Sequence, residues 1–249
     1  MQTVRDSLEL LLFSTDSILV RESEQAGVDG FIIDWEDRSR FGREHEKSGQ
    51  QMPDTVEDLG RISNLVQTPV WCRINQPGDW TLNEIEAAIQ HGADLILLPM
   101  VRTPDEVALF LEQVAGRAQV GILVETVEAC NCAEELSSFT LDRVYVGLLD
   151  LSLSRGTKDI FAPLRDGTIE HLRDIFYHTP FGVGGLTTID KGYPLASTEI
   201  MANLAHLKCN FTFLRNSFKR DIIGKNIQHE LSLIRATWKQ LQSRQMMQV

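Results

Sequence analysis

Short apolar runs recur along the whole chain, and segments with helical patterns separate them. Eight of these runs are typical of buried strands, because each is a short apolar stretch bounded by polar residues, glycine or proline. They lie at Leu8–Phe13, Gly30–Asp34, Val70–Arg73, Leu95–Leu98, Val120–Val124, Val144–Gly147, Gly182–Gly185 and Phe211–Leu214. The pieces between them end as helices do, for example Leu82–His91 before Gly92 and Pro104–Ala115 before Gly116.

Regular alternation of strand and helix predicts a parallel sheet, and eight repeats favour its closed form, the (β/α)8 TIM barrel. The length of 249 residues agrees, since such barrels have about 250 residues. No linker or low-complexity tract divides the chain, so residues 1–249 are predicted to form a single domain. An extended amphipathic tail helix, about Lys219 to Gln245, is predicted after the last strand.

Two carboxylates stand where neighbouring apolar runs end. Glu125 follows GILV and Asp150 follows the run Val144–Leu149, with a helical segment between them that Thr126 is placed to cap. In such a barrel both acids are expected on the C-terminal rim, where these enzymes hold their catalytic groups. Two rim carboxylates suit a divalent ion such as Mg²⁺, which keeps water or substrate oxygens as its other ligands. The alternative is that both acids are helix caps or salt-bridge partners.

A second group of charges follows the second and third predicted strands. Asp34, Glu36 and Asp37 are three acids within four positions, which is unfavourable unless a cation or proton lies close to them. The alternative is a solvated acidic loop. Arg73 ends an otherwise apolar run, and a buried cation requires an anion. That anion could be Asp34 or Glu36 in a structural pair, or a substrate carboxylate bound through the guanidinium fork.

Weaker signals come from single residues in polar loops. His45 could reach the same site, although a histidine in such a loop is more often solvated. Arg155, Lys158 and Arg165 form a basic patch that could bind an anionic substrate tail or could simply be solvated. Arg215 ends the eighth run and could bind an anion or cap a loop.

Several segments resemble the family that contains the divalent-metal 2-oxo-acid aldolases and the citrate lyase beta subunits. The resemblance covers residues 25–155 well and the rest loosely, through VETVEACNCAEEL, VYVGLLDLSLSRG, DWED, CRIN and GADLILLPMV. It implies a divalent ion, Mg²⁺ foremost with Mn²⁺ or Co²⁺ as substitutes, held by Glu125 and Asp150. It also implies that Arg73 contacts a substrate oxygen, and that backbone N–H groups around Gly147, Leu149 and Asp150 bind the substrate carboxylate.

The chain departs from the aldolase branch at one position that matters for proton transfer. Asp37 stands where that branch has a histidine, and Gln90 stands where it has the supporting aspartate. DWED looks like the D-L-E-D of the citrate lyase branch, whereas the methionine of PMV is that of the aldolases. Asp37 is therefore a candidate catalytic residue, with metal-bound water, Glu36 or His45 as other proton acceptors.

The resemblance and the placement of the acids predict a metal-dependent carbon–carbon lyase of the aldolase type. It would act through the metal-stabilised enolate of a 2-oxo acid such as pyruvate or oxaloacetate. Two alternatives stay open: an acyl-CoA lyase that cleaves a thioester substrate, as the citrate lyase beta branch does, or a non-catalytic barrel that binds an anionic metabolite.

Composition and net charge limit the kinds of molecule that the protein is expected to bind. The net charge of −11 argues against nucleic acid and anionic membrane surfaces, and no apolar run approaches the roughly 20 residues of a membrane span. Four cysteines without zinc-type spacing favour a reduced, cytoplasmic protein. The tail helix carries an apolar stripe, including Trp238, that exceeds what one barrel helix needs. This predicts a homo-oligomer, which the resemblance makes a trimer or hexamer, unless the tail folds back on its own barrel.

Overall fold

The computed structural model describes residues 7–37 and 53–246. Eight parallel strands close into a barrel in chain order, and the last strand pairs with the first. The strands are β1 (Glu9–Phe13), β2 (Gly30–Asp34), β3 (Val70–Arg73), β4 (Leu95–Leu98), β5 (Gln119–Val124), β6 (Arg143–Val146), β7 (Phe181–Val183) and β8 (Phe211–Leu214). The predicted TIM barrel is therefore confirmed.

Helices follow the strands around the outside of the barrel. In the described residues they are α1 (Ser17–Gln25), α2 (Val56–Ser63), α3 (Thr81–Gln90), α4 (Pro104–Val114), α5 (Val127–Asn131), α6 (Ala133–Leu136), α7 (Leu148–Ser154), α8 (Thr168–Ile175), α9 (Ser197–His206), α10 (Asn216–Asp221) and α11 (Ile227–Met246), with a short 3-10 helix at Ala162–Leu164. No helix within the described ranges combines the length and apolarity needed to cross a membrane.

The strand boundaries differ from the prediction in two places that matter for the site. β6 ends at Val146, and the apolar residues that follow it begin α7. The run Val144–Leu149 is therefore a strand followed by a helix, and the predicted strand Val144–Gly147 ends one residue earlier than expected. β7 ends at Val183 because Gly184 and Gly185 adopt φ values of 79° and 157°, which take the chain out of the sheet.

The inside of the barrel is filled by side chains from alternate strand positions, as expected for an eight-stranded barrel. Buried residues of the interior include Leu11, Ile32, Trp71, Leu95, Leu97, Leu123, Tyr145, Phe211 and Phe213. Tyr145 stacks on Phe213 with ring centroids 3.7 Å apart, and Trp71 meets Phe211 edge-on at 5.6 Å. We call these four residues the aromatic layer, and they close the middle of the barrel.

A charged pair lies on the N-terminal side of the aromatic layer. Arg143, at the start of β6, pairs with Glu9 of β1 at 3.3 Å. Its guanidinium also lies 5.6 Å from the ring centre of Trp71 and 5.9 Å from that of Phe211, within the range of cation–π contact. Arg143 and Glu9 thus occupy the N-terminal end of the barrel interior, and we call the opposite end, at the C-terminal rim, the mouth of the barrel.

The predicted tail helix is interrupted. Residues 222–226 separate α10 from α11, because Gly224 adopts a φ of 77° and the side chain of Asn226 accepts a hydrogen bond from His229 N, 2.8 Å away, at the start of α11.

The apolar stripe of α11 covers its own barrel. Leu231, Ile234 and Trp238 are buried, and α11 packs against α1 and α9. The expectation that Trp238 is left for a neighbouring subunit was therefore wrong, and the folded-back alternative describes this helix. A homo-oligomer stays a prediction that rests on the sequence resemblance.

Candidate active site at the C-terminal rim

Glu125 is the first residue after β5, and its side chain is almost completely buried, with 1% exposed. Its Oε1 accepts a hydrogen bond of 2.9 Å from the backbone N–H of Met100, in the loop after β4. A methyl group on Gly147, the residue after β6, would overlap Oε2 of the same carboxylate. The backbone at the end of β6 therefore passes directly beside Glu125, and only glycine leaves room for the carboxylate there.

Asp150 lies in the first turn of α7 and is 9% exposed. Because this helix begins immediately after β6, its first turn stays over the rim, and Asp150 is brought to Glu125. Burial raises the pKa of Glu125 well above its usual range, and the charges of Asp150 and Glu36 raise it further. Arg73 and the N–H of Met100 act in the opposite direction. Two buried carboxylates that repel each other form a strong site for a cation.

Arg73 is the last residue of β3 and makes a two-sided ion pair. Its Nε and Nη2 donate to the two carboxylate oxygens of Asp34 at 2.9 and 2.8 Å, and Nη1 lies 3.0 Å from Oε2 of Glu36. Burial alone would lower the pKa of Arg73, but Asp34 and Glu36 raise it well above its usual range. Both structural partners considered from the sequence are thus realised together. A guanidinium has five N–H donors, and these contacts with Asp34 and Glu36 account for three of them.

A further set of polar residues supports this network, and sequence reasoning missed it. Asp54 accepts a hydrogen bond of 2.8 Å from the N–H of Asp34 and one of 3.2 Å from the hydroxyl of Thr15. Asn75 accepts one of 2.9 Å from the N–H of Asp37. For Asn75 the sequence offered one signal, its place as the last residue of the CRIN motif. Asp54 lies in a polar loop far from that motif, and its sequence context gave no signal.

Asp37 is half-buried and stands at the end of the described part of its loop. Its backbone is fixed by Asn75, and its role as a catalytic residue stays a prediction. Arg38, Arg40 and His45 lie outside the described residues.

The first turn of α7 carries the other residues predicted to bind substrate. Gly147 precedes the helix, and the side chain of Leu149 is 54% exposed. Any contribution of Leu149 must therefore come from its backbone. N–H groups in the first turn of a helix have no partner within the helix, which fits the expectation that Gly147, Leu149 and Asp150 bind a carboxylate.

The donor set fits Mg²⁺ bound by few protein ligands. Within residues 7–37 and 53–246, no three His, Cys, Asp or Glu side chains are arranged around a metal position. A pair of carboxylates nevertheless matches the binding mode of Mg²⁺, which commonly uses one or two carboxylates and completes its shell with water and substrate. The mutual repulsion of Glu125 and Asp150 in a buried setting favours such an ion.

The basic loop after α7 is mostly neutralised locally. Arg155 pairs with Asp166 at 2.8 Å, and Arg165 pairs with Asp159. Both arginines therefore form local ion pairs, which neither of the two alternatives for this patch included.

Neither the models of protein families nor the curated proteins include a match to this sequence. Solved structures do match. An HpcH/HpaI aldolase from Desulfitobacterium hafniense DCB-2 has a TM-score of 0.65 and 15% identity, covering 88% of this chain and 90% of its own.

Two further structures match over nearly the whole chain. The citrate synthase SbnG has a TM-score of 0.63 and 18% identity, over 94% of each chain. RipC from Yersinia pestis has a TM-score of 0.60 and 14% identity, over 95% of each chain. At these identities the likeness is one of fold. This chain therefore has the barrel fold of an HpcH/HpaI aldolase and of a citrate synthase, which agrees with the group of enzymes that its motifs resemble.

Proposed function

We propose that this protein is a metal-dependent carbon–carbon lyase of the aldolase type that acts on a 2-oxo acid such as pyruvate or oxaloacetate. The observation that carries the proposal is the buried pair Glu125 and Asp150 at the C-terminal rim, where the charges of Asp150, Glu36 and Arg73 all act on the carboxylate of Glu125. The shared fold with structures described as an aldolase and a citrate synthase supports it.

Each residue has a defined task in this proposal. Glu125 and Asp150 hold the divalent ion, Mg²⁺ foremost, which when bound acts as a Lewis acid toward the substrate's oxygens. The backbone N–H groups at the start of α7 bind the substrate carboxylate. Arg73 donates its remaining N–H groups to the keto oxygen, where negative charge develops as the bond breaks. Asp34 and Glu36 fix the guanidinium plane, so this donor is already oriented before substrate arrives.

Cleavage transfers one electron pair and one proton. The pair of the breaking carbon–carbon bond moves to form the enolate of the 2-oxo acid, and its negative charge lies on the oxygen that Arg73 contacts. When the departing fragment leaves as an aldehyde, the proton of its hydroxyl group goes to an acceptor. We assign this role to Asp37, whose backbone is held by Asn75 beside the Arg73 network.

Two features favour a second candidate, a barrel that binds an anionic metabolite without turnover. The aldolase-type histidine is replaced by Asp37, and Arg73 is already engaged by two carboxylates. The DWED segment, for its part, is the feature that favours the acyl-CoA lyase alternative, in which the substrate is a thioester.

Oxaloacetate provides a direct test, because its cleavage to pyruvate and carbon dioxide needs no acceptor. We expect Mg²⁺ to bind the full chain in calorimetry and to be required for pyruvate release. Glu125→Gln and Asp150→Asn should abolish both, whereas Glu128→Gln, an exposed acid on α5, should retain both. Metal binding without turnover of oxaloacetate or of acyl thioesters would favour the binding protein. Unchanged metal binding in both variants would refute the assignment of the ligands.

A further inference from the structure

A second cationic group lies at the mouth of the barrel, outside the network of Arg73. Arg215 follows β8 directly, and the alternation of this strand places Phe211 and Phe213 inside the barrel. Arg215 continues the same alternation one step closer to the rim. A Cβ atom on Gly185 would lie 2.6 Å from Cγ of Arg215, so the stem of the arginine crosses the glycine that follows β7.

Arg215 is half-buried, and one donor of its guanidinium is buried without an acceptor. Its Nε is shielded from solvent and has no hydrogen-bond partner among the described residues, and the hydroxyl of Ser217 is in the same condition two residues later. No carboxylate of the described part of the chain lies within ion-pair distance of Arg215. Buried donors of this kind are unfavourable unless a ligand supplies the acceptor. Planar guanidinium donors match carboxylates and phosphates.

Tyr145 interacts electrostatically with Arg215 and with the candidate active site. The pKa of Tyr145 is raised mainly by burial, and the charges of Arg73 and Glu125 also act on it. The same tyrosine acts electrostatically on Arg215, and its ring stacks on Phe213. Arg73 follows Trp71, and Arg215 follows Phe213, by one step of strand alternation, so both arginines lie on the rim side of the aromatic layer.

We propose that Arg215, with Ser217, forms a subsite for a second anionic group of the substrate, a carboxylate or phosphate at the end remote from its 2-oxo acid group. The substrate is then a dianion whose 2-oxo acid end lies at Glu125, Asp150 and Arg73. The identity of that reacting end rests on the proposed function, whereas the anion subsite follows from the surroundings of Arg215 itself. Loops after the seventh and eighth strands commonly bind phosphate in barrels of this kind.

The subsite can be tested without the metal or the reaction. Calorimetric titration of the full chain in EDTA with inorganic phosphate and with malonate measures anion binding and separates the two ligand classes. Arg215→Gln should weaken binding of the preferred anion by about tenfold or more, as expected for loss of a charge-assisted hydrogen bond. Arg220→Gln is the matched control, because this neighbouring side chain is 75% exposed and pairs with Asp221; its affinity should stay within about twofold.

A second measurement separates the subsite from the reaction. With Mg²⁺ present, Arg215→Gln should raise the KM for oxaloacetate and leave the binding of pyruvate unchanged, since pyruvate has no second anionic group. Anion binding that depends on Arg215 without any turnover would support the subsite and refute the lyase. Turnover with equal anion affinity in wild type and Arg215→Gln, or no saturable anion binding, would overturn the subsite. If Arg215→Gln does not fold, Arg215→Lys gives the same comparison, because it keeps the charge but loses the planar fork.

Discussion

At the scale of single residues, Arg73 has both a structural contact and a proposed contact with substrate. The sequence left two alternatives for it, a structural pair or a substrate donor. The structure provides the pair with Asp34 and Glu36, and the role as a substrate donor stays a proposal. Substitution should therefore affect both folding and turnover, whereas an arginine dedicated to substrate would affect turnover alone.

Arg73→Lys tests this double role. Lysine keeps the charge but cannot make the planar contacts with both carboxylates, so we expect kcat to fall strongly and the free energy of unfolding to fall by roughly 1–3 kcal/mol. Urea denaturation and oxaloacetate kinetics measure the two effects. Arg117→Lys is the control, because Arg117 also pairs through a fork, with Glu86 on the surface. A loss of activity with no loss of stability would show that the pairs with Asp34 and Glu36 do not hold the fold.

Gly147→Ala tests whether the position of the Glu125 carboxylate depends on the absence of a side chain at Gly147. The backbone of Gly147 has φ −82° and ψ 96°, which any residue adopts, so the effect of alanine would come from overlap with Glu125 alone. We expect Mg²⁺ affinity to drop and stability to fall by roughly 1–3 kcal/mol. Gly60→Ala, inside α2, is the control with little expected change in metal binding. Retention of full Mg²⁺ affinity by Gly147→Ala would contradict the proposed position of the ion.

The pH dependence of stability should report on Asp54. Burial raises the pKa of Asp54 above its ordinary value of 3.8, and the charge of Asp34 adds to this, against the hydrogen bonds from Asp34 and Thr15. The folded state therefore holds the proton more tightly than the unfolded state. This contribution to stability is complete below pH 3.8 and is lost as the pH rises through the folded pKa.

The stability of the wild type minus that of Asp54→Asn should consequently decline as the pH rises from acid to neutral. Asparagine can still accept from Asp34 N–H, so the fold should be kept. Chemical denaturation across this pH range measures the difference, with Glu57→Gln, an exposed neighbour, as the control for loss of one negative charge. A difference that grows with pH would show that the pKa of Asp54 is lowered by folding.

At the scale of elements, the strands could be predicted because each is a short apolar run buried on both faces. Predictions of element boundaries and of ion-pair partners fail where local composition does not determine the backbone geometry. VYVGLL is apolar throughout, and only the backbone turn at Gly147 divides it into strand and helix. The position of Asp150 on the rim was predicted correctly in outcome, but it depends on a helical turn and not on a strand end. The ion pairs of Arg73 join β3 to β2 and to the loop after β2. Spacing along the chain could not show whether Asp34 or Glu36 would be the partner, because the two acids are only two residues apart.

The tail illustrates the same limit. Its apolar positions predicted an amphipathic helix, and α11 has that stripe, but periodicity does not say which surface the stripe covers. Gly224 turns the chain before α11, and the stripe then packs on α1 and α9 of the same barrel.

Trp238→Ala measures how much this packing contributes. Trp238 is 4% exposed within the single chain, so we expect a loss of about 3–5 kcal/mol in the free energy of unfolding, as for other buried aromatic truncations. Lys239→Ala, the exposed next residue on α11, should change stability little. A loss that depends on protein concentration would instead indicate that Trp238 also contacts a second subunit.

At the scale of the whole molecule, the homo-oligomer predicted from the resemblance needs another surface. Leu149 and Leu153 are one helical turn apart on α7 and are both more than half exposed, next to the mouth. We expect light scattering of the full chain to give a mass of a trimer or hexamer of the 28.1 kDa subunit. Leu149→Ser with Leu153→Ser should lower that mass, and Leu109→Ser, another exposed leucine on α4, is the control. A subunit mass for the unmodified chain would end the prediction.

The aromatic layer determines from which end small molecules can enter and leave the barrel. Because Trp71, Tyr145, Phe211 and Phe213 fill its middle and Arg143 with Glu9 occupies the N-terminal end, the C-terminal rim is the side from which small molecules can enter. In the proposed cleavage, the substrate and both products would therefore use the same opening in turn. The 2-oxo acid product, bound to the ion at Glu125 and Asp150, would leave after the other fragment. The proposed lyase would then release its products in a fixed order, and its last product would compete with the next substrate.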